Sequence, residues 1–421
     1  MTELFDWSDR NVRAAALARP ARRDDPALLD GVRRIVDDVR LRGWDAVVEH
    51  STRIDGAAPE RVAVAPFAER ARAVLSAEVQ DAIARAAQNI EAFHRATRPE
   101  DVEISPSPGL QVAKQWRPLD RAGLYVPGGK APLFSTLLMM AIPARVAGVG
   151  ELVVVTPPRT GGLDLAVALA ADLCGIEANW TVGGAQAIAA LAFGAGEIAA
   201  VDRICGPGNA WVAAAKALVS AIPGGPGIDL PAGPSELMVV ADSTADPRVV
   251  AADLLSQAEH DLDAQVLLVT PDPVTVRAVG QEFDRQRASL DGAVADARTI
   301  LCDDLEEAVA IANLYAPEHL SLATEQANRL VPLVRNAGAV FAGHGAAETF
   351  GDYLAGSSHV LPTDRAARFT GGVSTLTFMK AITVQTVTPA AAAELAGPAA
   401  ALARLEGLEA HARAAEARGV A

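Results

Sequence analysis

The stretch Ala178-Asn179-Trp180-Thr181-Val182-Gly183-Gly184-Ala185-Gln186-Ala187-Ile188-Ala189-Ala190-Leu191-Ala192-Phe193 decides the fold class. Residues 178–182 read as a strand, two glycines turn the chain, and a helix opens over 185–193. The same unit recurs on either side. Downstream, a strand over 201–205 enters Gly206-Pro207-Gly208-Asn209 and a helix over 210–221. Upstream, Arg121-Ala122-Gly123-Leu124-Tyr125-Val126-Pro127-Gly128-Gly129 is a strand running into a glycine turn. A helix over 135–147 follows, then the strand Leu152-Val153-Val154-Val155-Thr156 ended by Pro157-Pro158, then a helix over 163–174 stopped by Gly175. A repeating strand, glycine turn and helix argue for a parallel sheet covered by helices.

A second round begins at Glu236-Leu237-Met238-Val239-Val240-Ala241-Asp242. It continues through a helix over 247–260, strand 265–270 with Pro271, helix 274–286 and strand 299–302. Val266-Leu267-Leu268-Val269-Thr270-Pro271 repeats the texture of residues 152–157, which points to two related α/β domains. Before the first round, residues 24–97 read as helices, with Leu28, Leu29, Val32, Ile35, Val36 and Val39 at helical period. Gly43 interrupts them and Asp55-Gly56 closes a segment as a turn. Residues 112–119 look extended. After Lys380 the chain becomes Ala-rich and helical over 389–418, and such helices need something to pack on.

Bulk properties exclude several classes. A chain of 421 residues exceeds one compact core, so two or more lobes are expected. No run approaches the ~18 uninterrupted apolar residues of a membrane helix. Met1-Thr2-Glu3-Leu4-Phe5-Asp6 lacks a charged then apolar leader, and three cysteines make no disulfide framework, so a cytoplasmic location is expected. A net charge of −15 disfavours nucleic acid or anionic lipid as partner.

Four stretches could carry chemistry. In Leu254-Leu255-Ser256-Gln257-Ala258-Glu259-His260-Asp261, Gln257 and His260 are three apart and share a helix face. They are either half of a metal site or a polar helix end. In Tyr315-Ala316-Pro317-Glu318-His319-Leu320, proline stops a helix and sets a carboxylate beside an imidazole, two bases of different working pKa, or a solvated polar pair. Residues 350–363 place Asp352 and His359 among Gly and Ser in an expected loop, which is the chemistry of a site or of an Asx turn and a capping His. In the tail, Glu406 and His411 read by themselves as a solvated helix face. His50, His94 and His344 read as structural. The glycine turns at the strand ends fit ligand binding at the sheet's carboxyl edge. None carries G-x-G-x-x-G, and no acidic residue is placed for a ribose.

Taken jointly, the stretches at 123–129, 182–187, 206–209, 232–236, 254–260, 316–320, 351–353, 359–363 and 406–411 give the chain a resemblance to the histidinol dehydrogenase family along nearly its whole length. The resemblance implies NAD-dependent oxidation of L-histidinol to L-histidine through the aldehyde, with one bound Zn2+ per subunit. It also implies a homodimer whose C-terminal segments complete each other's sites. Carried over by position, it implies Gln257, His260 and Asp352 as zinc ligands, with His411 from the partner as the fourth. Ser235, Gln257, His260, His319, Asp352, His359, Glu406 and His411 are then expected at the substrate, and Tyr125, Gln186 and Asn209 at NAD. Glu318 and His319 match the catalytic pair, His319 as the base and Glu318 as the activator of water.

The implied architecture is two Rossmann-like parallel-sheet domains without a standard dinucleotide fingerprint, plus small N- and C-terminal helical segments. The expected division is an arm over 1–24, a first α/β domain from 25–121 and 236–372, a second over 122–235, and a dimer-swapped segment over 373–421. Ser357-Ser358, residues 343–346 and residues 368–380 depart from the commoner pattern. They leave open a relative that oxidises another small alcohol, a sulfopropanediol among them. Two rivals remain: trapping of the aldehyde as a thiohemiacetal on Cys205, and a non-catalytic ligand-binding protein on the same fold.

Overall fold

The computed structural model describes residues 3–20, 25–128, 133–230 and 233–419. Gly129 of the first glycine turn and Ala232, both part of the family resemblance, lie outside them, as do residues 1–2 and 21–24 of the expected arm. The chain divides into two compact units. One holds the described residues up to Thr97 and Asp120 to Phe378; the other holds Arg98–Leu119 with the chain from Met379 onward.

The larger unit contains two six-stranded sheets wound alike. In one, the strands Arg121–Tyr125, Glu151–Thr156, Ala178–Thr181, Arg203–Cys205 and Gly227–Ile228, numbered one to five, lie parallel in the order 3-2-1-4-5. In the other, Glu236–Ala241, Gln265–Thr270, Ala297–Leu301, His319–Ala323 and Ala339–Ala342 lie parallel in the same order. Each sheet gains a sixth strand from the N-terminal part of the chain, beside its third. Arg61–Ala63 adds antiparallel to Ala178–Thr181, and Glu3–Asp6 adds parallel to Ala297–Leu301. The expected parallel α/β class is what the chain forms, and the duplication shows in the winding. In both sheets the first and fourth strands are neighbours, which is the switch point where such sheets bind ligands.

Residues 25–121 were expected to accompany 236–372. The helices Pro26–Arg42 and Trp44–Asp55 instead bury Val32, Ile35, Val36, Val39, Ala46 and Val47 in one core with Tyr125, Val155, Ile188 and Ile204, against the 121–228 sheet. Their apolar stripe needs a partner, and the Ala-rich helices Gly184–Phe193 and Ala210–Ala221 offer a close-approach surface of small side chains.

The smaller unit is an antiparallel sheet, Met379–Val387 beside Leu110–Pro118 beside Val102–Ser107, continued by the helices Pro389–Leu405 and Glu409–Glu416. Arg404 ties these helices together through Glu409 (2.9 Å) and Glu416 (2.7 Å). The strand over 379–387 was not expected from the sequence. Ile382, Val384 and Val387 are all exposed, so its alternation carries no core-facing signal.

Candidate active site

The catalytic pair expected from sequence sits where two strands begin. His319 opens the fourth strand of its sheet, one residue in register from Glu236, which opens the first (Leu237 pairs with His319). Both lie at the amino ends of their strands, the opposite edge from the usual ligand crevice. The chain arrives there after the helix Leu305–Tyr315, which ends on Ala316 in the left-handed region (φ 57°) before Pro317. That tight stop aims Glu318 and His319 inward, and both side chains are buried.

His319 has one committed nitrogen. Its Nδ1–H donates to the Glu236 carbonyl at 3.1 Å, which leaves Nε2 as the lone-pair nitrogen. Nε2 has no hydrogen-bond partner among the described residues and faces Asp352 Oδ1 at 3.8 Å. Burial pushes this imidazole down to about 3, with His359 and His260 adding charge repulsion, so the ring is neutral near pH 7. Burial pushes the Glu318 carboxyl well above the ordinary carboxylate range, assisted by the nearby Glu236 charge, although the Glu236 N–H donates to its Oε2 at 2.9 Å.

Asp352 was expected in a loop. It stands instead on the short helix Glu348–Tyr353, which turns the carboxylate toward His319. Burial pushes Asp352 up to about 6, partly offset by His260. The same helix brings in Glu348, which sequence reasoning missed. Its Oε1 lies 3.7 Å from His319 Nδ1, its Oε2 has no partner among the described residues, and burial drives its pKa well upward. Glu348 precedes Asp352 by four residues, so the i,i+4 spacing on one helix face was the available signal.

Gln257 is buried near the end of the helix Pro247–Ala258, and His260 follows at its exposed C-terminal turn. His260 Nδ1–H donates to the Ser256 carbonyl at 3.0 Å, which leaves Nε2 open. His359 spends both nitrogens on protein: Nδ1–H donates to the Asp352 carbonyl (2.9 Å), and Nε2 lies 3.3 Å from the Thr136 hydroxyl. Ser235 immediately precedes Glu236, and its carbonyl accepts from the Gln265 N–H. Glu406 caps the helix Pro389–Leu405 and His411 lies on Glu409–Glu416, both exposed, in the smaller unit.

The donor set fits a divalent cation. Ligand atoms of His319, Glu348 and Asp352 all lie within 4.8 Å of one another, and two of these buried residues carry polar atoms with no protein partner. Orphaned buried nitrogen and oxygen donors are costly unless something occupies them. This set shares Asp352 with the expected ligands and replaces Gln257 and His260 by His319 and Glu348.

The expected cofactor residues gather elsewhere, at the switch point of the 121–228 sheet. Tyr125, Gln186 and Asn209 line one cavity of about 810 Å³ with Gly184, Pro157, Arg34, Arg53 and Asp55. That is a dinucleotide-sized space. The Tyr125 hydroxyl accepts from the Gly184 N–H at 3.3 Å. Gln186 donates to Asp55 at 3.0 Å while its own Oε1 is left without a protein partner. Asn209 caps its helix by accepting from the Trp211 and Val212 N–H groups. Asp38 and Asp55 put acidic groups in this cavity that could not be found near the glycine turns, because both come from helices that precede the whole sheet.

Among the remaining histidines, His50 lines the same 810 Å³ cavity, while His344 and the cysteines lie elsewhere. His50 pairs with Asp38 (2.8 Å), and His344 approaches Thr244 beside a cavity of about 380 Å³. Cys205 is fully buried and its thiol is pushed well above its ordinary range by burial, so it offers no thiolate near pH 7.

The comparisons with known proteins agree with one another. The family model described as histidinol dehydrogenase matches residues 18–419. The chain is 44% identical to a histidinol dehydrogenase of Xanthomonas euvesicatoria over 98% of each chain. It is 43% identical to one of Salmonella typhimurium over 97% of this chain and 95% of that one. A crystal structure of histidinol dehydrogenase from Elizabethkingia anophelis superposes with a TM-score of 0.94 at 37% identity, covering 99% of this chain and 97% of that one.

Proposed function

Because the chain belongs to the histidinol dehydrogenase family of oxidoreductases, we propose that it oxidises L-histidinol to L-histidine through the aldehyde in two successive NAD-dependent steps at one site. The observation that carries this reading is His319: a buried, neutral imidazole with Nδ1–H held by a carbonyl and Nε2 unpartnered beside Asp352. A base of that kind takes the proton of a carbinol as hydride leaves its carbon.

Zinc, when bound, supplies a Lewis acid that orients the amino alcohol, and NAD supplies the hydride acceptor. Gln257, His260 and Asp352 would hold the metal, with the partner subunit's His411 as fourth ligand; Glu348 lies one helical turn before Asp352 on the same short helix. Tyr125, Gln186 and Asn209 line the cofactor cavity. In the first step His319 Nε2 accepts the hydroxyl proton. In the second, Glu318 takes a proton from water as its oxygen adds to the aldehyde while His319 returns its proton to the carbonyl oxygen, and the neutral His319 then accepts a proton of the resulting hydrate as the second hydride leaves. Ser235, His359 and Glu406 complete the substrate's surroundings. The burial of the pair keeps the aldehyde from bulk water. Among the described residues no helix is long and apolar enough to cross a membrane, in line with a cytoplasmic biosynthetic enzyme.

Purified protein with L-histidinol and NAD tests the reading. Two NADH per histidine formed, lost on chelation and restored by zinc, is the expected result. No turnover of histidinol, with turnover of another small alcohol such as a sulfopropanediol, would overturn the substrate assignment.

A further inference from the structure

We propose that Glu236 is the positioning residue of the catalytic pair, fixing Glu318 and His319 together, and that Arg19 locks it in place. The proposal rests on the assignment of that pair above.

Glu236 touches both members through its main chain. Its N–H donates to Glu318 Oε2 at 2.9 Å, and its carbonyl accepts from His319 Nδ1 at 3.1 Å. Its carboxylate, 1% exposed, accepts four more hydrogen bonds. Oε1 takes Arg19 Nε (2.6 Å) and the Asp364 N–H (2.9 Å). Oε2 takes Arg19 Nη2 (2.9 Å) and the Glu318 N–H (3.3 Å). Glu236 and Glu318 are therefore joined reciprocally, backbone to side chain in both directions.

Sheet pairing does not explain this investment. The ladder to the first strand begins at Leu237 opposite His319, and on the other side the Ala339 N–H donates to the Glu318 carbonyl at 2.9 Å, so the sheet holds that carbonyl but neither the Glu318 N–H nor its carboxyl group. Glu318 follows Ala316 and Pro317, and Ala316 is held at φ 57°, a conformation an alanine adopts only at a cost. Arg19 grips the same segment from its other end: Nη2 donates to the Tyr315 carbonyl at 2.9 Å, and the guanidinium lies 3.7 Å from the Tyr315 ring centroid. Asp364, whose N–H also ends on Glu236, is a second non-glycine residue at φ 57°. One carboxylate thus holds the backbone of Asp364 and of Glu318 directly, and its Arg19 partner holds the Tyr315 carbonyl just before Ala316. A residue from the start of the chain supplies its counter-charge, and a two-pronged guanidinium suits that task better than an ammonium would.

The test uses full-length, zinc-loaded protein and the variants Glu236→Ala, Glu236→Gln and Arg19→Lys. Each is read by kcat and KM, and by hydrogen exchange of the peptide covering 315–320. Glu236→Ala is expected to lower kcat about 100-fold, the cost of a ~1 Å misplacement of reacting groups, with both KM values within about threefold. Exchange at 315–320 accelerates, while peptides of the 121–228 sheet are unchanged. Glu236→Gln keeps one acceptor oxygen and is expected to lose about tenfold in kcat, since it retains roughly half of the bonds that orient the segment. Wild-type kcat and wild-type exchange in Glu236→Ala would overturn the proposal. So would faster exchange along the whole chain with activity lost in step, which is a merely structural role. If Glu236→Ala fails to fold, Arg19→Lys decides: local acceleration at 315–320 with reduced kcat supports positioning, and wild-type values in both refute it. Should the wild-type protein oxidise no histidinol, the functional reading fails, and the exchange measurement still judges Glu236.

Discussion

The residue scale is governed by burial of groups that ordinarily seek water. The proposed role of His319 as a base needs a neutral ring, which its burial provides, and replacing it removes that proton acceptor while leaving the cavity of the 121–228 sheet intact. His319→Gln is expected to lower kcat by about 10²–10⁴, with NAD affinity unchanged by fluorescence titration. Glu318→Gln separates the two steps: alcohol oxidation continues, and aldehyde accumulates and is trapped by semicarbazide, because water is no longer deprotonated. Equal loss of both steps would remove Glu318 from its role. His94 shows the same physics without catalysis. Both of its ring nitrogens lack partners among the described residues, and burial pushes it down to about 4. A histidine whose folded pKa is depressed binds its proton more readily when unfolded. Stability is therefore full above about 6.5, the unfolded value, and declines as pH falls toward 4. His94→Leu is expected to show a smaller fall in Tm between pH 7 and pH 5 than wild type.

At the scale of elements, the glycine turn after strand Arg203–Cys205 shows how closely two backbones approach at the switch point of the 121–228 sheet. Gly206 sits at φ 128°, and a Cβ there would lie 2.1 Å from the Tyr125 carbonyl oxygen. Its N–H donates to Asp229 (2.6 Å) and its carbonyl accepts from Lys216 (2.8 Å). Lys216 and Asp229 are themselves a buried ion pair, 2% and 1% exposed. Removing one charge strands the other, so Lys216→Met is expected to cost about 3–5 kcal/mol in urea unfolding. The double variant Lys216→Met with Asp229→Asn restores neutrality and keeps an acceptor for Gly206, and it should recover part of that loss. A double variant no more stable than the single one would contradict this account. The short helix Glu348–Tyr353 presents the parallel case in the other lobe. Zinc content measured after His260→Ala and after Glu348→Gln separates the two candidate donor sets. Loss only in the first is expected; loss only in the second would move the ion to His319, Glu348 and Asp352.

At the scale of the whole molecule, the proposal assigns Glu406 and His411, which lie in the smaller unit, to the site of a partner subunit. Mixing inactive His319→Ala and inactive His411→Ala proteins after reversible dissociation tests this. In a mixed dimer one site carries both changes and the other carries neither. Random pairing should therefore restore up to about a quarter of wild-type activity. No recovery despite subunit exchange would place His411 outside the site. The two-lobed architecture explains why the chemistry is divided. The cavity proposed for the cofactor obeys the usual rule, at the carboxyl ends of the 121–228 sheet, whereas the proposed catalytic pair occupies the amino ends of the 236–342 sheet.

The sequence by itself determined the parallel α/β class and the repeated winding, because glycine turns and apolar runs are local signals. It also singled out Gln257, His260, Glu318, His319 and Asp352 as the polar residues to watch. Other features depend on residues far apart in the chain. Asp55 meets Gln186 and Arg19 meets Glu236 only after two helices and an arm fold back onto sheets formed 131 and 217 residues later. The antiparallel strand over 379–387 was hidden because both its faces are exposed after Met379, Ile382 and Val384 on one and Val387 on the other, without a buried alternation to mark it. Glu348 escaped because residues 350–363 read as a loop, and only the helix that forms there turns it toward His319. Local pattern fixes which elements form. Which side chains become neighbours, and whether burial neutralises or strands them, is decided only when the sheets close around them.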